Sequence, residues 1–364
     1  MRIAVNTRML IRDRLTGIGH FTYELLQKLV KDHPKVDFIF LFDRPYDDQF
    51  IFAPNITPVI VNPPARASFL FYIWFELAIP RVLKKYKADV FLSPDNFMSL
   101  SAHIPTLLVV HDLAFEHYPE NIPYFQLKFY QYFVPKYIHK ATRIATVSKA
   151  TSDDIKAHYP VDPEKIDIVH LGLNEGFKKN SKSEMGNYFI HLGTIQPRKN
   201  IIGLLKAFEL YKDKTGDESR LLFIGSKGWK DESIYKFLEG MKHRKDVEMT
   251  GYLTNKEISD KLNNAIALLC VSFFEGFGMP VIEAQQCGCP VICSNVSSLP
   301  EASGDAALII DPMNTDSIAD AMIQIKSDSS LREKLILSGF ENVKKYSWQK
   351  TADKVWESLQ KLSF

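Results

Sequence analysis

Short runs of β-branched and aliphatic residues alternate with longer helical patterns along nearly the whole chain. Uniformly apolar strands separated by helices are typical of parallel sheets built from βαβ units, because helices cover both faces of such a sheet. The first half contains predicted strands at Arg2–Thr7, Phe38–Phe42, Val59–Asn62, Asp89–Ser93, Thr106–His111, Arg143–Ser148 and Ile166–His170. The sequence therefore predicts an α/β protein whose first half is doubly wound.

The alternation stops at Asn174–Gly186, a polar segment without periodicity, and then begins again. Glycine, serine and lysine without periodicity are typical of a linker. Strands are predicted afterwards at Tyr188–Leu192, Leu221–Ile224, Val247–Thr250, Ala267–Val271 and Pro290–Ser294, with a helix at Asn200–Lys212. We therefore expect two Rossmann-like domains, residues 1–172 and 187–347, joined by a linker at 173–186. A last helix, about 348–364, can pack back on the first domain.

Composition limits the classes of function. The 364 residues carry a net charge of +2, which does not indicate a nucleic-acid partner. The N-terminus MRIAVNTRML resembles a first strand and not a signal peptide, and no run of about 18 apolar residues occurs, so a cytoplasmic protein is expected. The four cysteines lie close together without a histidine nearby, which favours buried, reduced thiols over a metal site or a disulfide.

Two glutamates flank a glycine-rich turn in the second half. The turn Ser272–Met279 follows a predicted strand, and a helix at Pro280–Cys287 follows the turn, so it lies at the carboxyl edge of a parallel sheet, where ligands bind. Glu275 precedes the glycines and Glu283 lies in the helix. Neither has a basic neighbour in the sequence, so both are expected to lack a basic partner. Because a carboxylate can accept two hydrogen bonds, each glutamate is suited to hold a diol. A solvated loop residue and a helix cap remain the alternative interpretation.

A pair of cations occupies a second strand-turn-helix junction. Arg198 and Lys199 stand just before a helix that begins near Asn200. A helix start with two adjacent cations is suited to a diphosphate, although such a pair is often only a solvated surface.

The segments Gly193-Thr-Ile-Gln-Pro-Arg-Lys-Asn200 and Glu275-Gly-Phe-Gly-Met-Pro-Val-Ile-Glu283 resemble the two signature motifs of the group-one retaining glycosyltransferases. The second is that family's E-x₇-E pattern. The resemblance extends to Thr16-Gly-Ile-Gly19, His111-Asp112 and Thr146-Val-Ser148, and so covers nearly the whole chain. It implies the GT-B fold, two Rossmann-like domains facing each other across a cleft, and it is strongest to bacterial mannosyltransferase-like members.

The resemblance implies a role for each matching residue. Arg198 and Lys199 would bind the diphosphate, Glu283 the ribose, and Glu275 and His111 the transferred sugar, which makes His111, Glu275, Arg198 and Lys199 the candidate catalytic residues. Further candidates for donor binding are Gly17, Gly19, Thr194, Lys227, Tyr252, Gly276, Phe277, Gly278 and Met279.

The resemblance also implies the reaction. A hexose, with mannose favoured, would pass from a GDP- or UDP-linked sugar to a hydroxyl of a glycan or lipid-linked glycan, with retention, as in polysaccharide or lipopolysaccharide biosynthesis. No D-x-D triad occurs in the sequence, so we expect no metal and no cofactor besides the nucleotide-sugar substrate. A UDP-sugar donor, a nucleotide-sugar epimerase, an NAD-dependent oxidoreductase and a silent binding module are the alternatives.

Two aromatic and basic stretches leave the location within the cell open. Ala67–Lys87 and Tyr124–Lys140 combine aromatic residues with lysines, which suits either core packing or the surface of a membrane that holds a lipid-linked acceptor. The first interpretation is favoured for Ala67–Lys87. The second would place the protein at the inner face of the cytoplasmic membrane.

Overall fold

The computed structural model describes residues 1–12, 15, 17–65, 68–181, 184–228 and 231–362. Residues that belong to segments discussed above but lie outside these ranges are Thr16, Ala67, Lys182, Ser183, Ser363 and Phe364. The chain forms two compact units, of which the first comprises Met1–Gly172 and Ser347–Phe364 and the second Leu173–Tyr346. It therefore passes into the second unit once and returns once.

Each unit is built on one parallel sheet. The strands are β1 Arg2–Asn6, β2 Asp37–Phe42, β3 Ile56–Ile60, β4 Val90–Ser93, β5 Thr106–Val110, β6 Arg143–Thr146, β7 Ile166–Ile168, β8 Tyr188–Leu192, β9 Arg220–Ile224, β10 Val247–Gly251, β11 Leu268–Cys270, β12 Val291–Ser294 and β13 Leu308–Ile310. In the first unit the strands follow the order β3-β2-β1-β4-β5-β6-β7, and in the second the order β10-β9-β8-β11-β12-β13. Central strands such as β5 are buried along their whole length, which explains their continuous apolar runs.

Helices cover the sheets. They are α1 Gly17–Asp32, α2 Ser68–Ile73, α3 Ile79–Tyr86, α4 Ala114–His117, α5 Tyr124–Lys140, α6 Lys149–His158, α7 Ile201–Thr215, α8 Glu232–Glu239, α9 Asn255–Asn264, α10 Met279–Gln286, α11 Leu299–Ser303, α12 Thr315–Ser327, α13 Ser329–Val343 and α14 Trp348–Gln360. Thr254 and Glu257 form a reciprocal capping box at the start of α9, as the sequence predicts. Pro280 lies in the first turn of α10, where its missing N–H costs no helical hydrogen bond.

Two edge strands depart from the sequence prediction. The strand predicted at Val59–Asn62 is in fact β3, which begins three residues earlier and contains Pro58. Proline is tolerated there because β3 is the edge strand of its sheet. The strand β13 was not predicted from the sequence at all, because its three residues are too few to show a pattern.

A π-helical turn, Trp74–Ala78, joins α2 to α3. Its Glu76 side chain is buried and accepts hydrogen bonds from the backbone N–H groups of Leu100 and Ser101, both at 2.8 Å, and from the Ser101 hydroxyl at 2.7 Å. Trp74 and Phe75 are fully buried in the core, whereas Phe69 on α2 is 67% exposed. The aromatic residues of α2 and the π-helical turn therefore lie partly in the core and partly on the surface.

The helix α14 belongs to the first unit and packs on α1. Trp348 contacts the ring of Phe21, and Trp356 stacks on His33 with 3.6 Å between ring centroids. The hydroxyl of Thr351 donates to the backbone carbonyl of His170 at 2.6 Å. The first unit is thus completed by the last helix of the chain.

The polar segment that the sequence singled out as a linker lies in the second unit. The Asn263 side chain accepts a hydrogen bond from the Asn180 N–H at 2.7 Å and donates one to the Lys178 carbonyl at 2.9 Å. The cysteines Cys270, Cys287, Cys289 and Cys293 are buried, as the sequence predicts, and none of them is in a disulfide. Of the helices in the described residues, none is long and apolar enough to cross a membrane.

Candidate functional site

The cation pair lies in a turn between β8 and α7. Pro197–Lys199 form a single 3-10 turn, and Asn200 then adopts a left-handed conformation with φ of 57° before α7 begins at Ile201. Asparagine tolerates this conformation, and its side chain donates to the Pro312 carbonyl at 2.8 Å. Arg198 and Lys199 therefore stand immediately before the helix N-terminus, as the sequence predicts.

Glu275 is bound to both cations. The ammonium of Lys199 donates to Glu275 Oε1 in a short, buried ion pair, and Arg198 Nη1 lies 3.5 Å from Oε2. The Ser272 hydroxyl also donates to Oε1, at 2.8 Å. The expectation that Glu275 has no basic partner is therefore wrong. Its partners are distant in sequence but adjacent in the fold, because the turns after β8 and β11 meet at one edge of the sheet.

The electrostatics of this cluster favour an anion. Burial opposes ionisation of Glu275, but the charges of Lys199 and Arg198 and the hydrogen bonds outweigh it and lower the pKa of Glu275 to about 2. Glu275 is therefore ionised at neutral pH. Two cations and one anion leave the cluster with a net positive charge, which suits a ligand with more than one negative charge.

The backbone around Glu275 is held from both sides. The N–H of Glu275 donates to Ser297 Oγ at 2.9 Å, and the Ser298 hydroxyl donates to the Glu275 carbonyl at 2.8 Å. The Phe273 N–H donates to the Arg198 carbonyl at 2.9 Å. Ser297 and Ser298 were not candidates from the sequence, since serines before a short helix carry no recognisable pattern. They fix the carboxylate in place against the cations.

The glycine-rich turn leads into α10. Gly278 has a φ of 101°, a conformation that favours glycine, and a Cβ there would also force the Leu299 side chain, 2.9 Å away, to shift. Phe277 is buried and packs edge-on against Tyr346, at 5.4 Å between ring centroids. Because the side chain of Phe277 is buried, only its backbone groups are available to bind a ligand. Gly276 and Met279 lie on either side, and Met279 is the first residue of α10.

Glu283 has a different environment from Glu275. It lies on α10, and its side chain makes no hydrogen bond or ion pair within the part of the chain that the structure describes. Protein atoms crowd its carboxyl, although the side chain keeps some exposed area. Burial raises the pKa of Glu283 to about 7. A half-buried carboxyl without a partner has its full capacity to accept hydrogen bonds from a ligand.

His191 lies on β8, and the sequence predicts it only as part of a strand. It is 1% exposed, and its Nδ1 lies 2.9 Å from the Leu269 carbonyl, so Nδ1 carries the proton. Its Nε2 is buried and unpaired in the described structure. Burial and the nearby Lys199 lower the pKa of His191 to about 4, so the ring is neutral. No motif marks this histidine in the sequence.

Three further candidates lie in the loops after β8, β9 and β10. Thr194, Lys227 and Tyr252 all have exposed side chains, and Tyr252 is 82% exposed. The loops are packed together, because a Cβ on Gly225 would lie only 2.0 Å from the Gly193 carbonyl oxygen. The structure thus gathers these loops but shows no contact from the three side chains to the cation cluster.

The remaining candidates belong to the first unit. Gly17 begins α1, and a Cβ on Gly19 would lie 2.6 Å from the Met9 carbonyl oxygen, so α1 approaches the loop after β1 closely. His111 Nε2 lies 2.8 Å from the Pro94 carbonyl and therefore carries the proton. Burial lowers the pKa of His111, so the imidazole is neutral at pH 7. Asp112 Oδ1 accepts a hydrogen bond at 3.1 Å from the N–H of Ala114, the first residue of α4.

Comparison with known proteins gives matches over most of the chain. The family model "Glycosyl transferases group 1" matches residues 174–341, and "Glycosyltransferase Family 4" matches residues 15–177. O-antigen chain mannosyltransferase B of Escherichia coli is 28% identical over 362 residues, which cover 93% of this chain and 94% of that protein. O-antigen chain mannosyltransferase RfbU of Salmonella typhimurium is 25% identical over 85% of this chain and 87% of that protein.

Solved structures show the same fold. Sucrose-phosphate synthase from Thermosynechococcus elongatus superimposes with a TM-score of 0.79 at 16% identity, covering 99% of this chain and 98% of that one. HepE of Anabaena, in complex with UDP and glucose, gives a TM-score of 0.74 at 14% identity over 98% and 99% of the two chains. These are GT-B proteins, which confirms the predicted fold of two Rossmann-like domains. The chain belongs to the group 1 glycosyltransferases and is a GT-B glycosyltransferase similar to bacterial mannosyltransferases.

Proposed function

We propose that this enzyme transfers mannose from GDP-mannose to a hydroxyl of a glycan or lipid-linked glycan, with retention at the anomeric carbon and without a metal. The observation that carries the proposal is the contact of Arg198 and Lys199 with Glu275, which joins the two motifs of the family in one cluster. The mannose assignment is supported by the mannosyltransferases among the relatives.

Cationic groups bind the diphosphate of the donor, and carboxylates bind its hydroxyl groups. Arg198 and Lys199 bind the diphosphate together with backbone N–H groups at the start of α10, and Glu283 accepts hydrogen bonds from the ribose hydroxyls. The side chains of Lys199 and Ser272 both bind Oε1 of Glu275, whereas among the described residues Oε2 is contacted only by Arg198, at 3.5 Å. That oxygen is therefore the one available to a hydroxyl of the transferred sugar.

Catalysis follows from charge and position. As the bond between the sugar and the diphosphate breaks, negative charge grows on the leaving phosphate, and Lys199 and Arg198 stabilise it. The acceptor attacks from the same face, and the leaving phosphate takes its proton, which gives retention without a protein nucleophile. His111 is assigned a contact with the donor sugar, as the resemblance implies; its neutral ring leaves Nδ1 as an acceptor.

Calorimetric titration with GDP, UDP, ADP and NAD, each with and without EDTA, tests the donor. Binding of GDP alone, unaltered by EDTA, is expected. Preference for UDP would keep the fold and reaction but replace mannose by a glucose-type donor, an alternative favoured by the UDP and glucose bound to HepE. Binding of NAD alone would refute the proposal. Nuclear magnetic resonance of the product then tests retention, because an inverted anomer contradicts front-face attack.

An exposed aromatic surface supports contact with a membrane. Phe69 and Tyr72 on α2 and Tyr124, Phe125 and Tyr132 on α5 are each about half exposed or more, and the two helices touch through Phe71 and Phe129. Lys128 and Lys136 lie over the rings of Tyr124 and Tyr132. Aromatic rings beside lysines suit the interface of an anionic bilayer. We propose that this surface brings the enzyme to a lipid-linked acceptor.

Co-sedimentation with anionic vesicles tests the membrane proposal. Phe125→Ser is expected to reduce the bound fraction severalfold, because it removes an aromatic ring that is 82% exposed. Leu337→Ser, at a 61% exposed position on α13, is the matched control and should bind like the parent protein. Equal binding of all three proteins would refute the membrane contact and leave the proposed reaction untouched.

A further inference from the structure

Two histidines and one aspartate converge in the first unit, on helices α4 and α6. His117 is the last residue of α4, and Asp154 and His158 are one turn apart on α6, so the latter two share a face of that helix. His117 Nε2 lies 2.8 and 2.9 Å from the two carboxylate oxygens of Asp154. His158 Nδ1 lies 3.1 Å from Oδ1 of the same carboxylate.

The three donor atoms are arranged as metal ligands are. All lie within 4.8 Å of one another, and the group is open to solvent on one side. Zn²⁺ bound at 2.0 to 2.2 Å by imidazole nitrogens and a carboxylate oxygen keeps these atoms about 3.3 Å apart in tetrahedral geometry. The separations from Asp154 therefore need to grow by only a few tenths of an ångström. In the structure, ring nitrogens of both histidines are in direct contact with the carboxylate.

Both rings can present a lone pair to the ion. His117 then carries its proton on Nδ1, and His158 carries its own on Nε2, in place of the contact that its Nδ1 makes with the Asp154 carbonyl at 3.0 Å. Both histidines are exposed, so the exchange of tautomers costs little.

The two helices are already fixed beside the cluster. The hydroxyl of Tyr159, next to His158, donates to the carboxylate of Glu116, next to His117, at 2.5 Å. Tyr159 is buried, so the ends of α4 and α6 are held together without an ion. Preorganised ligands lose little freedom when a metal binds. The neighbouring Asp153 pairs instead with Lys149 and Lys156 and so does not compete for the ion.

We propose that His117, Asp154 and His158 form a binding site for a first-row divalent cation, with Zn²⁺ as the best-fitting ion. Two imidazoles and one carboxylate suit Zn²⁺ and not Mg²⁺ or Ca²⁺, which prefer oxygen ligands. Three protein ligands leave a fourth position for water or another ligand. The ion would tie α4 to α6. This site is independent of the proposed reaction, and none of the donor-binding candidates belongs to it.

Calorimetric titration of the tag-free, full-length protein with ZnCl₂ at pH 7.5 tests the site. One equivalent is expected to bind. Asp154→Asn and His158→Gln should each lower the affinity at least about tenfold, the loss that weaker, outer-shell changes at metal sites already cause. Asp153→Asn, the matched control, should bind like the parent protein.

Thermal melting without metal shows whether each variant folds, and ZnCl₂ should then raise the melting temperature of the parent and of Asp153→Asn only. Absence of Zn²⁺ binding by the parent would overturn the proposal. Binding of equal strength by the folded Asp154→Asn and His158→Gln variants would overturn it as well.

Discussion

The protonation of Glu283 is expected to control donor binding near neutral pH. Burial raises the pKa of its carboxyl to about 7 in the free protein, whereas the ordinary value is 4.5. A carboxylate that accepts hydrogen bonds from both ribose hydroxyls must be ionised. The ionised fraction is about 9% at pH 6 and about 91% at pH 8 for a pKa of 7. If only the ionised form binds, affinity for the donor rises about tenfold over this interval.

Calorimetry with a nucleotide sugar measures this effect. GDP-mannose is preferable to GDP, because its diphosphate carries a sugar and has no group that titrates between pH 6 and 8. The dissociation constant is expected to fall about tenfold from pH 6 to pH 8, and at pH 7 about half a proton should be released on binding, seen as a dependence of the heat on the buffer. The Glu283→Gln variant should bind GDP-mannose weakly, with the same dissociation constant at pH 6, 7 and 8.

The pH dependence of the free energy of unfolding gives a second measurement of the Glu283 pKa. Because folding raises this pKa, the contribution of Glu283 to stability is fully present below pH 4.5 and is lost as pH rises through 7, by up to about 3 kcal/mol. Glu283→Gln should remove that part of the pH dependence. A donor affinity that stays constant from pH 6 to 8 in the parent protein, or that changes as much in Glu283→Gln, would refute the assignment of this carboxyl.

Three further predictions concern other parts of the fold. Lys199→Met leaves the buried Glu275 carboxylate short of its main partner, so the free energy of unfolding in urea should fall by about 3 kcal/mol, whereas a loss below about 1 kcal/mol would contradict a stabilising pair. Glu76→Ala removes the acceptor of three hydrogen bonds and should cost about 2 kcal/mol in the same assay; no loss would mean that water replaces the carboxylate. Gly225→Ala should lower the free energy of unfolding by more than about 3 kcal/mol, because its Cβ would overlap a backbone oxygen. The control Gly216→Ala also has a positive φ but open space around it, and should lower the free energy of unfolding by about 1 kcal/mol. Equal losses in the two variants would refute the clash at Gly225.

The sequence predicted the sheets well because their strands are apolar on both faces. Strands such as β5 and β8 therefore stand out as continuous runs, and Tyr188–Leu192 was predicted with its observed bounds. Edge strands lack this signal, as β3 with its Pro58 shows. The π-turn at Trp74–Ala78 could not be predicted either, since Glu76 is buried by contacts with a loop that follows β4.

For the cluster around Glu275, the sequence named the members but not their contacts. Arg198, Lys199 and Glu275 were identified through their motifs, yet the ion pair between Lys199 and Glu275 joins residues 76 positions apart. The apparent lack of a partner for Glu275 followed from looking only at neighbours in the chain. His191 was missed because its meaning depends on burial and on the direction of one nitrogen, and neither is visible in a sequence.

The return of the chain into its first unit has a consequence for synthesis. On the ribosome, residues 1–172 emerge first, but α14, which covers α1, is made only after the whole second unit. The apolar face of α1 then stays open to solvent or to a chaperone while the second unit folds. A nascent chain that stops before Trp348 is expected to hold a folded second unit and an incomplete first one.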